Sequence, residues 1–403
     1  MDAVSLSAIA YQERSSRGPR SETARSAACA VWWEGVNGLR YASFALRGFF
    51  RRGAPLHLTL FVTGRCNLRC RHCFHWREVA AGVEGPSAEE VERLAGSCAR
   101  MGPLLWVSFG GGEPFLRRDL ADLARSFGKR GLRHLAIPTN GLVEERQHAA
   151  IERILVENPS LFLSVAVSFD GPEAVHDAIR QVSGGHARSK ASVRALKEQR
   201  AKLKPEQARR LGVGVLVTLT RENQDVLATH VEELVDELQP DNVTLNLARG
   251  TALDETLLRV ELDRYRELVE TKARLQREGR LPYFDFPLAR LAAARDRVMY
   301  EHIERVARGD RRAHLPCTAG TLSAVVFENG AVHPCEILGR ELGNLRDHDW
   351  DLERLWNSLQ AESLRTEIER TRCACTWECA QADNVLFGKR TWPTLLKEVV
   401  AGP

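Results

Sequence analysis

Leu56-His57-Leu58-Thr59-Leu60-Phe61-Val62-Thr63 runs straight into Gly64-Arg65-Cys66-Asn67-Leu68-Arg69-Cys70-Arg71-His72-Cys73. The first eight residues have the length and apolar, β-branched content of a buried strand, and the glycine ends it. Beyond the glycine lies a loop with three thiols at C-x3-C-x2-C, close enough in sequence to wrap one metal centre. Soft sulfur ligands select zinc or iron–sulfur. A closed zinc site wants a fourth ligand, which His72 or His75 offers. An iron–sulfur cubane on three thiolates leaves one iron open to bind and activate a second molecule.

Outward from this loop, short apolar runs alternate with helical stretches. Leu105–Phe109, Leu132–Pro138, Leu163–Phe169, Val213–Leu219 and Val243–Leu247 read as further strands. Between them lie Ala88–Met101, where Ser87 and Glu90 have capping-box spacing, then Arg117–Arg130, Ala174–Ile179, Lys190–Lys202 and Asn223–Glu237. Six strand–helix alternations imply a parallel α/β domain over 55–255. Residues 256–312 read as a charged helical connector broken at Pro282 and Pro287. Over 313–390, Ser323–Phe327, Asn329-Gly330 and Ala331–His333 predict a β-hairpin, and Leu352–Arg370 a helix. Residues 391–403 read as a tail.

The chain has 403 residues, is 44% hydrophobic and 27% charged, and has a net charge of +4, so it is long enough for two or three domains and is not a disordered chain. With 57 Lys and Arg against 53 Asp and Glu, it lacks the excess of a nucleic-acid binder. No run has the roughly 18 apolar residues of a membrane span, and the first 30 residues lack an apolar signal core. The expected location is cytoplasmic. Residues 1–30 read as a disordered arm. Residues 31–54 form an aromatic and basic helical segment, with Trp32, Trp33, Tyr41, Phe44, Phe49 and Phe50 among Arg40, Arg47, Arg51 and Arg52. Such a segment either docks on the following domain or gives 31–52 peripheral contact with a membrane.

Cys66, Cys70 and Cys73 after the first strand of a six-strand α/β chain resemble the cluster loop of the radical S-adenosylmethionine (radical SAM) superfamily. Gly110-Gly111-Gly112-Glu113-Pro114 resembles that family's G-G-E-P turn, and Thr139-Asn140-Gly141 its T-N-G turn. Ser168-Phe169-Asp170-Gly171 with His176-Asp177 and Arg180 resembles the S-x-D-G…H-D-x-x-R segment of the branch with extra clusters. The resemblance implies a 4Fe-4S cluster on the three cysteines, with S-adenosylmethionine (SAM) chelating the open iron. It assigns SAM contacts to Gly111, Gly112, Glu113, Pro114, Thr139, Asn140, Ser168, Asp170 and Arg180. One departure is His72, where the family often has an aromatic near the adenine; Phe74 and Trp76 come after the loop instead.

Cys317, Cys335, Cys373, Cys375 and Cys379 form a second group around the predicted hairpin and helix. Thiols gathered from distant segments argue for a folded metal site, with a zinc knuckle as the simplest form. The spacing from Cys317 through Gly330 to Cys335 resembles the start of the SPASM/twitch extension. A full SPASM region has seven cysteines and two clusters. Five here imply one auxiliary 4Fe-4S cluster on Cys317, Cys335, Cys379 and either Cys373 or Cys375. Cys98 reads as a core residue, and Cys29 lies in the arm.

The resemblance thus implies an α/β fold, a partial (β/α)6 TIM-like barrel with a small C-terminal cysteine-rich hairpin-plus-helix extension. It implies reductive cleavage of SAM and hydrogen abstraction from a small-molecule, lipid or peptide substrate, with the auxiliary cluster assisting electron transfer. An external donor such as flavodoxin or ferredoxin would be a partner. A SPASM-type peptide maturase is the alternative, against which stands the absence of room in 1–55 for a winged-helix peptide-recognition domain. A non-catalytic zinc or iron–sulfur interaction protein is a third reading. No acid–base residue is assigned; Glu336, His333, Asp285 and Tyr283 are candidates to face the cavity.

Overall fold

Six consecutive strands run parallel: β1 (His57–Thr63), β2 (Trp106–Gly111), β3 (His134–Thr139), β4 (Phe162–Phe169), β5 (Leu211–Leu219) and β6 (Val243–Leu247). The computed structural model describes residues 41–50, 53 and 55–402, and from Phe44 onward they form one compact unit. Each strand leads to the next through helices: α1 (Trp76–Ala81), α2 (Ala88–Met101), α3 (Leu120–Gly128), α4 (Glu144–Glu157), α5 (Glu173–Arg180), α6 (Gly185–Lys202) and α7 (Leu227–Leu238). Helices on one side and inward side chains on the other leave β1, β4 and β5 buried on both faces, as expected for parallel strands. This is the expected α/β architecture with its mostly parallel sheet.

The expected helix at Ala88–Met101 forms with those bounds. Ser87 Oγ accepts from the Glu90 N–H and the Glu90 carboxylate accepts from the Ser87 N–H, closing the capping box. Val91, Leu94, Ala95 and Cys98 make its buried face, so Cys98 is a core residue. Its thiol is pushed up to about 12 by burial. The connector forms α8 (Leu262–Arg277) and α9 (Ala289–Ala307), with Pro282 and Pro287 between them. Phe284 and Phe286 from that break pack on Phe162 and, for Phe286, on His134. Those are the first residues of β4 and β3, so the break plugs the N-terminal end of the strands.

Four features depart from the expectation. The hairpin strands β7 (Ser323–Val326) and β8 (Ala331–His333) do not stand apart from the barrel. β7 pairs parallel with β1, from His57↔Ser323 to Leu60↔Val326, and β9 (Gly343–Asn344) adds antiparallel to β8. One nine-stranded sheet results, in the order β6-β5-β4-β3-β2-β1-β7-β8-β9. The turn has Gly330 alone at positive φ, +86°, so it is a longer loop closed by a glycine rather than a two-residue turn. The helix expected over Leu352–Arg370 is two, α10 (Leu352–Trp356) and α11 (Leu359–Arg370), because Asp351 and Ser358 each cap an N-terminus. The expected tail is α13 (Trp392–Ala401), which comes after α12 (Glu378–Phe387).

Residues 41–50 are helical. Phe44 is buried, and a Cβ on Gly48 would lie 2.0 Å from the Phe387 ring, so glycine permits this approach. Phe49 meets Phe387 and Trp392 at 5.6 and 5.5 Å between centroids. Residues 44–50 therefore dock on the C-terminal helices. The arm over 1–30 with Cys29, and residues 31–40, 51 and 52 of the aromatic segment, lie outside the described residues.

Candidate active site

The strand ends decide where the three thiols sit. Beyond β1 the loop is tied at both flanks: the Arg71 N–H donates to Ile179 O and Arg71 O accepts from the Asp254 N–H, both at 2.8 Å. The Arg71 guanidinium pairs with Glu222 and Asp254. Next to it, the turn after β2 closes so tightly that side chains are excluded. The Gly112 N–H donates to Thr63 O at 2.6 Å and the Glu113 N–H to Arg65 O at 2.9 Å. A Cβ at Gly111 would stand 2.2 Å from Thr63 O, and one at Gly112 2.1 Å from Arg65 O. Glycine is the residue that lets these two loops touch.

Glu113 is 1% exposed. Its carboxylate accepts from the Asn140 N–H at 2.8 Å, Thr139 Oγ1 at 2.9 Å and the Phe115 N–H at 3.2 Å. Burial pushes it up to about 7, against the pull of those donors. Asn140 Nδ2 donates to Asn67 Oδ1 in the cysteine loop at 2.7 Å. The first three loops are thus cross-linked through Glu113 and Asn140.

These loops and the ends of β4–β6 enclose a cavity of about 420 Å³ at the C-terminal ends of the strands, where parallel barrels place their sites. Cys66, Cys70 and Cys73 line it together with Gly111, Gly112, Glu113, Pro114, Thr139, Asn140, Ser168 and Arg180. So do His72, Phe74 and Trp76. Asp170 does not. It is fully buried behind Arg180, whose Nε donates to Asp170 Oδ2 at 2.8 Å. Burial pushes the Asp170 carboxyl up, but Arg180, His72 and His176 hold it below the usual carboxylate range. Burial raises the Cys66 thiol and pushes Cys70 and Cys73 to about 12 and 11, so a cation there binds with release of protons.

The second cysteine group gathers beside this cavity. Cys317, Cys335, Cys375 and Cys379 pack in one apolar cluster with Phe61, Val325 and Trp377, and the Cys373 thiol lies beside that of Cys317. All five thiols that the sequence grouped come together. Among the described residues, no three His, Cys, Asp or Glu side chains are gathered as tightly as a single metal ion requires. Three thiols on one loop, and four in one apolar cluster with a fifth beside Cys317, are the donor chemistry of iron–sulfur centres.

Residues 60–240 match the model of the radical SAM superfamily, and residues 317–380 match that of the SPASM iron-sulfur cluster-binding domain. This chain carries a radical SAM domain and a SPASM domain. It is 34% identical over 137 residues to the PqqA peptide cyclase of Rhodopseudomonas palustris, a match covering 34% of each chain. The chain thus spans about a third of the length of that curated relative. To the AdoMet-dependent heme synthase of Methanosarcina barkeri it is 23% identical, over 80% of this chain and 88% of that one. Streptococcus suis SuiB, in its structure bound to the precursor peptide SuiA, shares the fold with a TM-score of 0.55 at 14% identity. That likeness covers 90% of this chain and 76% of SuiB.

A radical SAM domain implies a 4Fe-4S cluster with SAM, and a SPASM domain implies auxiliary iron–sulfur clusters. The residues present fit both. Between the two cysteine groups stands a wall in which His75, offered by the sequence as a fourth ligand, meets a partner that sequence reasoning missed. His75 Nε2 meets Glu328 Oε1 at 2.7 Å with both side chains buried, and Phe61 and Phe327 pack on the imidazole. Glu328 sits in the hairpin turn, where an acid is ordinarily solvated. Arg249, just past β6, lines the cavity, pairs with Glu378 and stands 3.7 Å from Glu336.

The four acid–base candidates are not at the cavity wall. Glu336 is held behind Arg249, and burial pushes it up. His333 sits edge-on to Phe327, 3.8 Å from Glu341. Tyr283 donates to Asp296 at 2.7 Å at the opposite end of the barrel, and Asp285 is exposed.

Proposed function

We propose that this chain is a SPASM-type radical SAM enzyme that modifies a peptide. The observation that carries the reading is the joining of a SAM-type cavity to a five-thiol cluster across one wall; the peptide substrate is supported by the PqqA peptide cyclase relative and by the SuiB fold. When bound, the two cofactors supply reductive cleavage of SAM to methionine and a 5′-deoxyadenosyl radical, which removes a hydrogen atom from substrate.

The chain's own residues hold and orient. Cys66, Cys70 and Cys73 hold the first cluster. Glu113, fixed by three donors, accepts from the methionine amine, while the glycine turn lets the backbone approach it. Arg180 commits only its Nε to Asp170, which leaves its other N–H groups for the methionine carboxylate, with Ser168 beside it. Asp170 therefore positions Arg180 and does not touch SAM. Cys317, Cys335 and Cys379, with Cys373 or Cys375, hold one auxiliary 4Fe-4S cluster. Such a cluster would supply an acceptor for an electron from the substrate, and flavodoxin or ferredoxin would be the external donor. The barrel over 55–255, connector over 256–312 and auxiliary unit over 313–390 divide these tasks.

Anaerobic reconstitution tests this. Wild type should take up about eight irons per chain and the Cys66→Ala/Cys70→Ala/Cys73→Ala variant about four. Wild type alone should form 5′-deoxyadenosine. Added peptides should raise that turnover and lose hydrogen by mass spectrometry. Zinc in both sites and no 5′-deoxyadenosine would sink the enzyme reading. A second reading, a tetrapyrrole-like small molecule, is favoured by the heme synthase match across most of both chains. Turnover raised by such molecules and by no peptide would establish it.

A further inference from the structure

Residues 35–77 and residues 384–397 carry no acid. The structure brings part of each to the same surface. In the helical stretch 41–50, Phe44 and Gly48 face inward, while Leu46, Phe49 and Phe50 are 58%, 41% and 69% exposed. Phe49 lies against Trp392, the first residue of α13. From Trp392, helical spacing continues the same face through Leu396 and Val400, which are 54% and 86% exposed. Leu395, one position round, is the residue that α13 buries.

These apolar side chains protrude. A residue at 86% exposure stands out from the surface with no protein around it, which suits a soft phase that closes round each side chain. Lys389, Arg390 and Lys397 flank them and are exposed, and none makes an ion pair among the described residues. The first acid beyond, Glu398, is committed to Arg297 at 3.0 Å. Among the described residues no helix is long and apolar enough to cross a membrane. Protruding Leu, Phe and Val ringed by cations is the composition that lies in a headgroup layer.

We infer that the face made by residues 46–50 and α13 is a peripheral docking surface for an anionic lipid bilayer. It goes beyond the proposed reaction and is independent of it. The occupant is a lipid surface because Lys389, Arg390 and Lys397 are exposed cations without an ion pair among the described residues while the nearby Glu398 is paired with Arg297, and because two signals, insertion and charge, are what reversible anchoring needs.

The experiment is vesicle flotation of the reconstituted full chain. Vesicles of phosphatidylcholine with phosphatidylglycerol should carry the protein, and vesicles of phosphatidylcholine alone should not. Each cation near an anionic surface contributes about a fivefold gain in partition, so Lys389→Glu/Arg390→Glu/Lys397→Glu should weaken binding roughly a hundredfold or more. Phe50→Ser/Leu396→Ser should also release the protein while leaving its melting temperature unchanged, since both side chains are already in water. Three results would overturn the inference: no flotation with anionic vesicles, flotation indifferent to both variants, or a concentration-dependent dimer by light scattering that Phe50→Ser/Leu396→Ser abolishes. The last would make the face a contact between copies of the chain.

Discussion

Replacing Arg180 with Met tests whether it is the main partner that holds Asp170 charged. Asp170 is fully buried, and among the described residues its one cationic hydrogen-bond donor is Arg180 Nε at 2.8 Å, with His72 Nδ1 farther off at 3.9 Å. Two such charges with centres about 4 Å apart attract by about 4 kcal/mol at an effective dielectric of about 20. Removing one partner of a buried pair costs about 3–5 kcal/mol, because the other charge is left uncompensated. At about 2 °C per kcal/mol for a chain of this size, Arg180→Met should melt roughly 6–10 °C lower. Asp170→Asn should cost less, about 1–3 kcal/mol, since the amide oxygen can still accept from Arg180 Nε and the guanidinium left behind lines the cavity. The double variant should be more stable than Arg180→Met, with a coupling of about 2 kcal/mol or more. Urea melts of the reduced, ligand-free chain, followed by circular dichroism, measure all three. Losses that add to within about 0.5 kcal/mol, or an Arg180→Met melt equal to wild type, would refute the pairing argument.

The same ligand-free chain should respond to pH through two buried acids. Glu113 and Asp383 are each raised by burial to about 7, so the folded state binds their protons more tightly than the unfolded chain does. Their contribution is present below the unfolded values and is lost as pH rises through about 7, by about 3 kcal/mol for Glu113. Glu113→Gln should therefore gain on wild type in melts run from about pH 5 to about pH 8, and a pH-independent difference would contradict the burial argument. Glu328→Ala strips His75 of its buried partner and should cost about 1–3 kcal/mol. It should also lower iron retention at the first cysteine loop, read as iron per chain after gel filtration. Gly112→Ala would set a methyl 2.1 Å from Arg65 O; SAM binding by equilibrium dialysis should weaken roughly tenfold or more, and unchanged binding would show that the two loops can part freely.

What was legible in the sequence is what local chemistry decides. Ser87 and Glu90 mark the start of α2 because a capping box needs only four residues. The C-x3-C-x2-C loop and the G-G-E-P, T-N-G and S-x-D-G turns were legible because each comes after a strand end at short range. Asp170 was misplaced by the same logic: the motif carries it to the site, but nothing local says that it faces inward to Arg180. The β1–β7 pairing was not legible, because parallel partners so far apart leave no mark of each other. Glu328 and Arg249 escaped for a related reason, and His75, offered as a fourth ligand of the loop, turns to Glu328 instead. A buried acid is recognisable only by its partner, and theirs arrive from other ends of the chain. The α10–α11 break could have been read from Asp351 and Ser358, each placed at an N-cap.

The pairing of β7 with β1 also governs what can be cut from this protein. β1 is a central strand only because the C-terminal unit supplies its outer neighbour. Ending the chain before Ser323 would strip the backbone N–H and C=O groups along His57–Leu60 of their partners and leave a flat, apolar edge open to any passing strand. Such a truncated barrel should aggregate rather than stand alone, and a C-terminal unit grafted from a relative must bring a strand that takes the same register. In this chain the auxiliary unit is a course of the wall, not a bead on a string.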